Sequence, residues 1–127
     1  MWVEIRPIWY ISDAAKFFED HCMTEIDRVA MLKEFLTANP KDSFTRYGLA
    51  MEYARQGSLE TALEEFRTVL KNDPDYTAAY QMAGQMLMKA GRMEDARHVL
   101  EDGIASAIRT GNSHARAEME GMLMELG

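Results

Sequence analysis

The sequence predicts an all-α fold, a short right-handed α-solenoid of stacked helix–turn–helix repeats. Two of its three prolines, Pro40 and Pro74, lie 34 residues apart (74 − 40). Their surroundings also match, since LTANPKDSFTRY around Pro40 resembles VLKNDPDYTAAY around Pro74. A period between about 20 and 50 residues is typical of stacked repeats, so the prolines separate units of one domain rather than two domains.

A shift of the chain by one period supports this interpretation, because small residues then align with small ones and bulky apolar residues with bulky ones. Within one unit, SLETALEEFRTVLK spaces its apolar residues as one face of an amphipathic helix. One helix pair cannot bury this face alone, so stacking is required. The aligned pairs are Ala50 with Gly84, Gly57 with Gly91, Ala62 with Ala96, and Phe66 with Leu100.

The first element in chain order is an apolar N-terminal arm, residues 1–11, which contains Trp2 and Trp9. It carries Glu4 and Pro7 instead of a basic region followed by an apolar run, so we do not interpret it as a signal peptide. We expect the arm to cap a helical face of its own chain. The alternative is that it covers a face of a second copy and forms a homodimer.

Residues 12–42 predict a degenerate repeat. Ser12 is a candidate N-cap for a first helix through SDAAKFFEDHCM. A second helix is predicted from Thr24 to Ala38, because Pro40 follows it as Pro74 follows the next unit. The apolar stripe predicted for this second helix comprises Val29, Leu32, Phe35 and Leu36.

Residues 43–76 are predicted to form the first full repeat. Its first helix extends from about Ser43 to Gln56, and Gly57 can end that helix in the left-handed conformation. Ser58 is a suitable N-cap for the second helix, because its hydroxyl can accept an amide hydrogen bond. The buried stripe of that helix comprises Leu59, Ala62, Leu63, Phe66, Val69 and Leu70.

Residues 77–110 predict a second full repeat, and residues 111–127 a C-terminal capping helix. Ile108 stands where a closing proline is expected, so the second helix of this repeat can continue to about Arg109. In the capping helix Glu118 falls at the position of Ala50 and Gly84, a departure that terminal repeats commonly show. The apolar face of the cap comprises Ala115, Met119, Met122 and Leu126.

The residues from Ser43 to Thr110 resemble the tetratricopeptide repeat family, whose pattern is W-x2-L-G-x2-Y, then A-x3-F, then P. Arg46 replaces the tryptophan of that pattern. The first unit otherwise offers Leu49, Ala50, Tyr53, Ala62, Phe66 and Pro74. The second unit offers Tyr80, Ala83, Gly84, Leu87, Ala96 and Leu100.

This resemblance implies a concave groove, lined by the first helix of each repeat, that binds an extended or helical peptide. Some members clamp a peptide carboxylate with a lysine and an asparagine, and Tyr47 and Met51 stand in those places here. A clamp of that type is therefore not expected. The groove residues implied by the resemblance are Phe44, Tyr47, Met51, Arg55, Ala78, Gln81, Gln85, Met88 and Lys89.

Composition excludes several classes of function. The net charge of −7 disfavours nucleic acid, because binding to phosphates needs a surplus of Lys and Arg. No apolar run approaches the roughly 20 residues that cross a bilayer, so no membrane association is expected. A single cysteine allows no internal disulfide and fits the reducing cytoplasm.

The sequence indicates a binding module rather than an enzyme. His21 and Cys22 are the only close His–Cys pair, and two adjacent ligands without a second pair are weak evidence for a metal or a nucleophile. We expect no catalytic residue, no metal and no cofactor. The leading hypothesis is a protein–protein interaction scaffold that binds a peptide or partner segment in the groove. A self-associating structural module is the alternative.

Overall fold

The computed structural model of the chain describes residues 25–127, which form six α-helices and no strand. The N-terminal arm, Ser12, Thr24 and the His21–Cys22 pair, all considered above, lie outside these residues. None of the described helices combines the length and the apolar character needed to span a membrane. The helices are α1 (Glu25–Ala38), α2 (Ser43–Arg55), α3 (Leu59–Asn72), α4 (Thr77–Lys89), α5 (Met93–Thr110) and α6 (Ser113–Leu126).

The described helices stack as successive pairs. Helices α2 and α3 form one pair, α4 and α5 the next, while α1 packs on α2 and α6 packs on α5. The turn inside each pair contains a glycine in the left-handed region, Gly57 at φ 81° and Gly91 at φ 77°. A residue with a side chain would be strained at either position. The all-α helical-repeat solenoid predicted from the sequence is therefore confirmed.

Small residues bring the two helices of each pair close together, as the aligned pattern predicts. Ala50 and Ala62 are buried between α2 and α3, and Gly84 and Ala96 occupy the same places between α4 and α5. A Cβ atom added to Gly84 would lie 2.6 Å from Cδ2 of Leu100. Glycine at this position therefore permits the approach of α4 to α5.

The core continues from one repeat into the next. Phe66 and Val69 of α3 share one buried cluster with Ala79 and Ala83 of α4. Leu100 of α5 belongs to a second cluster that joins α5 to α6. Neither repeat therefore encloses a core of its own, and each buries its apolar face against its neighbour.

Helix α5 continues one turn beyond the end of its counterpart α3, as the missing proline predicts. It has 18 residues, against 14 in α3, and ends at Gly111 with φ 70°. Because of this extra turn α6 begins two residues later than the repeat period requires. Glu118 is consequently exposed instead of lying at the position of Gly84, while the predicted apolar face of α6, led by buried Ala115 and Met119, is confirmed.

Two sequence predictions about local structure hold only in part. Ser58 occupies the N-cap of α3, as predicted, but its side chain accepts no capping hydrogen bond. Asp42, with ψ 99°, does cap α2 by accepting from the amide of Thr45. Phe35 was predicted to be buried but is 50% exposed, since its helix packs against α2 on one side.

Arg46, which replaces the tryptophan of the family pattern, makes polar contacts with the second helix of its repeat and with the preceding turn. Its Nη1 lies 2.8 Å from Oε2 of Glu65 on α3. Its Nη2 donates to the carbonyl oxygen of Pro40 at 3.0 Å. The guanidinium thus links α2 to α3 and to the turn before α2, where a tryptophan would make apolar contacts.

Candidate functional site

The nine side chains predicted to line a groove lie on α2 and α4, the first helices of the two repeats. On α2 they recur at intervals of three or four residues, which places them along one face of the helix. On α4 the same spacing holds from Ala78 to Met88, and Lys89 directly follows Met88. None of the nine is buried: Phe44, Arg55, Ala78, Gln85 and Lys89 are exposed, and Tyr47, Met51, Gln81 and Met88 are half-buried. We refer to these nine residues as the groove surface.

An aromatic cluster anchors one part of this surface to the core. The ring of Tyr47 lies 5.9 Å from that of buried Phe66 in an edge-on arrangement and 5.2 Å from the ring of Tyr76. Burial raises the pKa of Tyr47, and the nearby Tyr76 raises it further. The pKa of Tyr76 is also raised, first by burial and then by the charge of Asp73. Both phenols therefore stay protonated at neutral pH and can donate hydrogen bonds.

Two methionines of the groove surface rest on the core. Met51 of α2 and Met88 of α4 are half-buried and pack against the cluster that joins the repeats. Their inner atoms are held by this packing while the rest of each side chain meets solvent. Methionine is flexible and polarizable, so these positions can adapt to apolar groups of different shape.

Helix α6 borders the groove surface, a contact that helical spacing alone does not predict. The side-chain amide of Gln81 donates to the carboxylate of Glu118. Nε2 of His114 lies 2.9 Å from the other oxygen of the same carboxylate. Gln81 is therefore already hydrogen-bonded to α6. Gln85, one turn further along α4, is the amide side chain of the groove surface that stays exposed.

Charge is distributed unevenly between the first helices of the two repeats, α2 and α4, and the second helices, α3 and α5, which we call the outer helices. Helices α2 and α4 contain a single carboxylate, that of Glu52, which is buried between Arg28 at 3.1 Å and Arg55 at 2.9 Å. The outer helices α3 and α5 contain three and four carboxylates respectively. In a chain of net charge −7, α2 and α4 therefore expose no carboxylate of their own.

The groove surface presents side chains that can make binding contacts. Among the described residues no cluster of His, Cys, Asp and Glu could hold a metal ion. His98 and His114 are exposed on helix surfaces. The groove surface presents aromatic, methionine and arginine side chains, which are enriched in protein interfaces, together with two amides and one lysine.

Comparison with known proteins agrees with the fold. The family model described as tetratricopeptide repeat matches residues 53–107. A TPR repeat-containing protein of Pseudomonas aeruginosa is 30% identical over 95 residues, which cover 75% of this chain and 90% of that protein.

Solved structures show the same likeness. A tetratricopeptide repeat domain protein from Salinibacter ruber superposes with a TM-score of 0.64 at 30% identity, over 68% of this chain and 88% of that one. The TPR2B domain of yeast Sti1, solved as a complex with pHsp70, gives a TM-score of 0.74 over 80% of this chain and 82% of that one. Its identity of 16% shows likeness of fold alone.

Proposed function

Since this chain belongs to the tetratricopeptide repeat family, we propose that it is a non-enzymatic scaffold for protein–protein interaction. In this proposal a segment of a partner protein lies against the groove surface of α2 and α4. The observation that carries the proposal is a row of accessible apolar side chains, seated on the core and with no exposed carboxylate on either helix. The cytoplasm remains the predicted compartment.

The apolar groups of the groove surface are suited to binding because the fold holds them in place. Tyr47 is held by its ring contacts with Phe66 and Tyr76, so little of its side-chain freedom is lost when a partner binds. The two methionines are held by the core only at their inner atoms. Phe44 is 76% exposed in the free chain. Full burial of such a side chain contributes about 1.5–3 kcal/mol, so a partner that covers it gains a large apolar contact.

The yeast Sti1 domain supports the proposal at the level of fold. It is solved as a complex with pHsp70, so this helical architecture can hold a partner. The partner of the present chain is expected to differ in its contacts, because Tyr47 and Met51 occupy the places where some members of the family clamp a carboxylate.

Substitution of the exposed groove residues tests the proposal. We expect Phe44→Ala and Gln85→Ala each to lower the amount of a specific partner captured from an extract of the source cells, by about fivefold or more, since truncation of an interface hot spot costs more than about 1 kcal/mol. Captured proteins are quantified by mass spectrometry. Ile108→Ala is the control, because Ile108 is an exposed apolar residue of α5, away from the groove surface. Equal capture by wild type and both groove variants contradicts the proposal.

A second copy of the chain is the other candidate partner. Met31 and Phe35 lie four residues apart on one face of α1, and each is 50% exposed. If this face mediates a homodimer, sedimentation of the wild type gives the dimer mass, and the double variant Met31→Ser, Phe35→Ser gives the monomer mass. A monomer mass for the wild type across the concentration range contradicts self-association.

A further inference from the structure

A cleft of about 220 Å³ opens at one edge of the groove surface, between the turn that follows α2 and the end of α4. A cavity of roughly 150 Å³ accommodates a benzene ring. The cleft therefore has room for one Leu or Phe side chain of a partner. Apart from the ammonium group of Lys89 its lining is mostly apolar: Ala54, Gly57, Leu59, Met86, Lys89 and Ala90.

Two cationic side chains lie at this edge because of the repeat. Arg55 is the last residue of α2, and Lys89, one period later, is the last residue of α4. Arg55 follows Ala54 of the cleft directly and donates to Glu52 through Nη2 alone, and its side chain is 57% exposed. Lys89 is exposed and forms no ion pair within residues 25–127. Both groups therefore retain donors for a carboxylate.

The opposite end of α4, its N-terminal end, lies beside negatively charged residues. Asp73 and Asp75 lie in the turn that precedes this helix. Asp75 pairs with Arg109 at 2.7 Å, whereas no ion pair of Asp73 is found in the described part of the chain. An acidic ligand group is thus favoured at the Lys89 end over the Asp73 end, which gives a charged segment a preferred direction.

We propose that this cleft is an anchoring subsite for an acidic partner segment: it takes one Leu or Phe side chain, while Lys89 and Arg55 bind an adjacent Glu or Asp. The inference deepens the function proposed above and rests on it. It identifies the partner by chemistry, as a segment in which an apolar residue and a carboxylate are neighbours. The Leu or Phe side chain of the partner supplies contact area. Its carboxylate, bound by Lys89 and Arg55, determines which segment binds and in which direction.

Defined peptides test the subsite. The probes are two acetylated, amidated peptides of the same length, in which a central Leu is flanked on both sides by Glu in one and by Lys in the other. We expect wild type to bind the Glu peptide about tenfold more tightly, since each rim charge pair contributes up to about a twofold to fivefold change in affinity. Affinities are measured by fluorescence anisotropy at low salt.

Two variants separate the apolar and the charged parts of the subsite. Lys89→Glu is expected to abolish or invert the preference for the Glu peptide. Ala90→Phe, which places a ring at the exposed cap of α4, is expected to fill the cleft and weaken binding of both peptides about tenfold. Lys71→Glu is the matched control, because it makes the same charge change in the last turn of the outer helix α3. Thermal unfolding of each variant shows that it remains folded.

Equal affinity of wild type for the two peptides, or no binding of either at millimolar concentration, overturns the subsite. An effect of Lys71→Glu as large as that of Lys89→Glu also overturns it, because net charge then explains the preference. If Phe44→Ala lowers capture of the cellular partner while the peptide preference is absent, the groove stands and only the subsite fails. If the preference holds while Phe44→Ala and Gln85→Ala leave capture unchanged, the subsite stands and the groove assignment fails.

Discussion

Truncation of Phe66 to alanine is expected to lower the free energy of unfolding by about 3–5 kcal/mol. Phe66 is 1% exposed, and its ring fills the cluster that joins the two repeats. Removal of the ring leaves a cavity that the neighbouring side chains fill only in part. Since a domain is stable by only about 5–15 kcal/mol, this single change removes a large share of the total. Chemical denaturation followed by far-ultraviolet circular dichroism measures the loss.

Phe44→Ala is the matched control for Phe66→Ala, because it makes the same chemical change on a ring that is 76% exposed. Its expected effect on the free energy of unfolding is within about 0.5 kcal/mol. The same variant is expected to lose partner binding. Similar destabilisation by the two variants would contradict the assignment of Phe66 to the core and of Phe44 to the surface.

Replacement of Gly103 by valine is expected to destabilise the fold by about 3 kcal/mol, at the upper end of the range for overpacking. A Cβ atom at this position would lie 2.5 Å from Sδ of Met119 and 2.6 Å from Cβ of Tyr80. Met119 can move its sulfur, but Cβ of Tyr80 is fixed to the backbone of α4. The clash is therefore relieved only by separating α4 from α5.

Gly121→Val supplies the control for Gly103→Val, since Gly121 is also inside a helix but has nothing within 4 Å of its added Cβ. Valine is a slightly better helix former than glycine, so the free energy of unfolding is expected to change by less than about 0.5 kcal/mol. The same denaturation experiment compares the two variants. Equal losses in both would mean that helix propensity, and not the contact with Tyr80, determines the cost.

The repeated residues made the helical layout predictable. Glycines at a fixed period end the first helix of each pair. A proline at position 74 stops the second helix of the first repeat, and the lack of a proline at the equivalent position, Ile108, lets the next one continue. These are local backbone effects, so one sequence is enough to read them. The faces of α2 and α4 were predictable for the same reason, because helical spacing alone assigns residues to a side.

Features that depend on neighbouring elements were not predictable. Gly103 aligns with Val69, one period earlier, so the pattern gives no sign that α4 and α6 leave no room for a side chain there. The contact between Gln81 and Glu118 arises because the extra turn of α5 shifts α6 along the repeat. Phe35 follows an apolar spacing, yet its exposure depends on what packs against α1 and not on spacing.

Hydrogen–deuterium exchange of the chain with and without its captured partner tests most directly whether α2 and α4 hold the partner. Amide exchange is slowed where a bound segment stabilises a helix or excludes water. The predicted result is added protection in residues 43–55 and 77–89, with the outer helices α3 and α5 unchanged. Protection confined to α3 and α5, or to α1, would contradict binding at the groove surface.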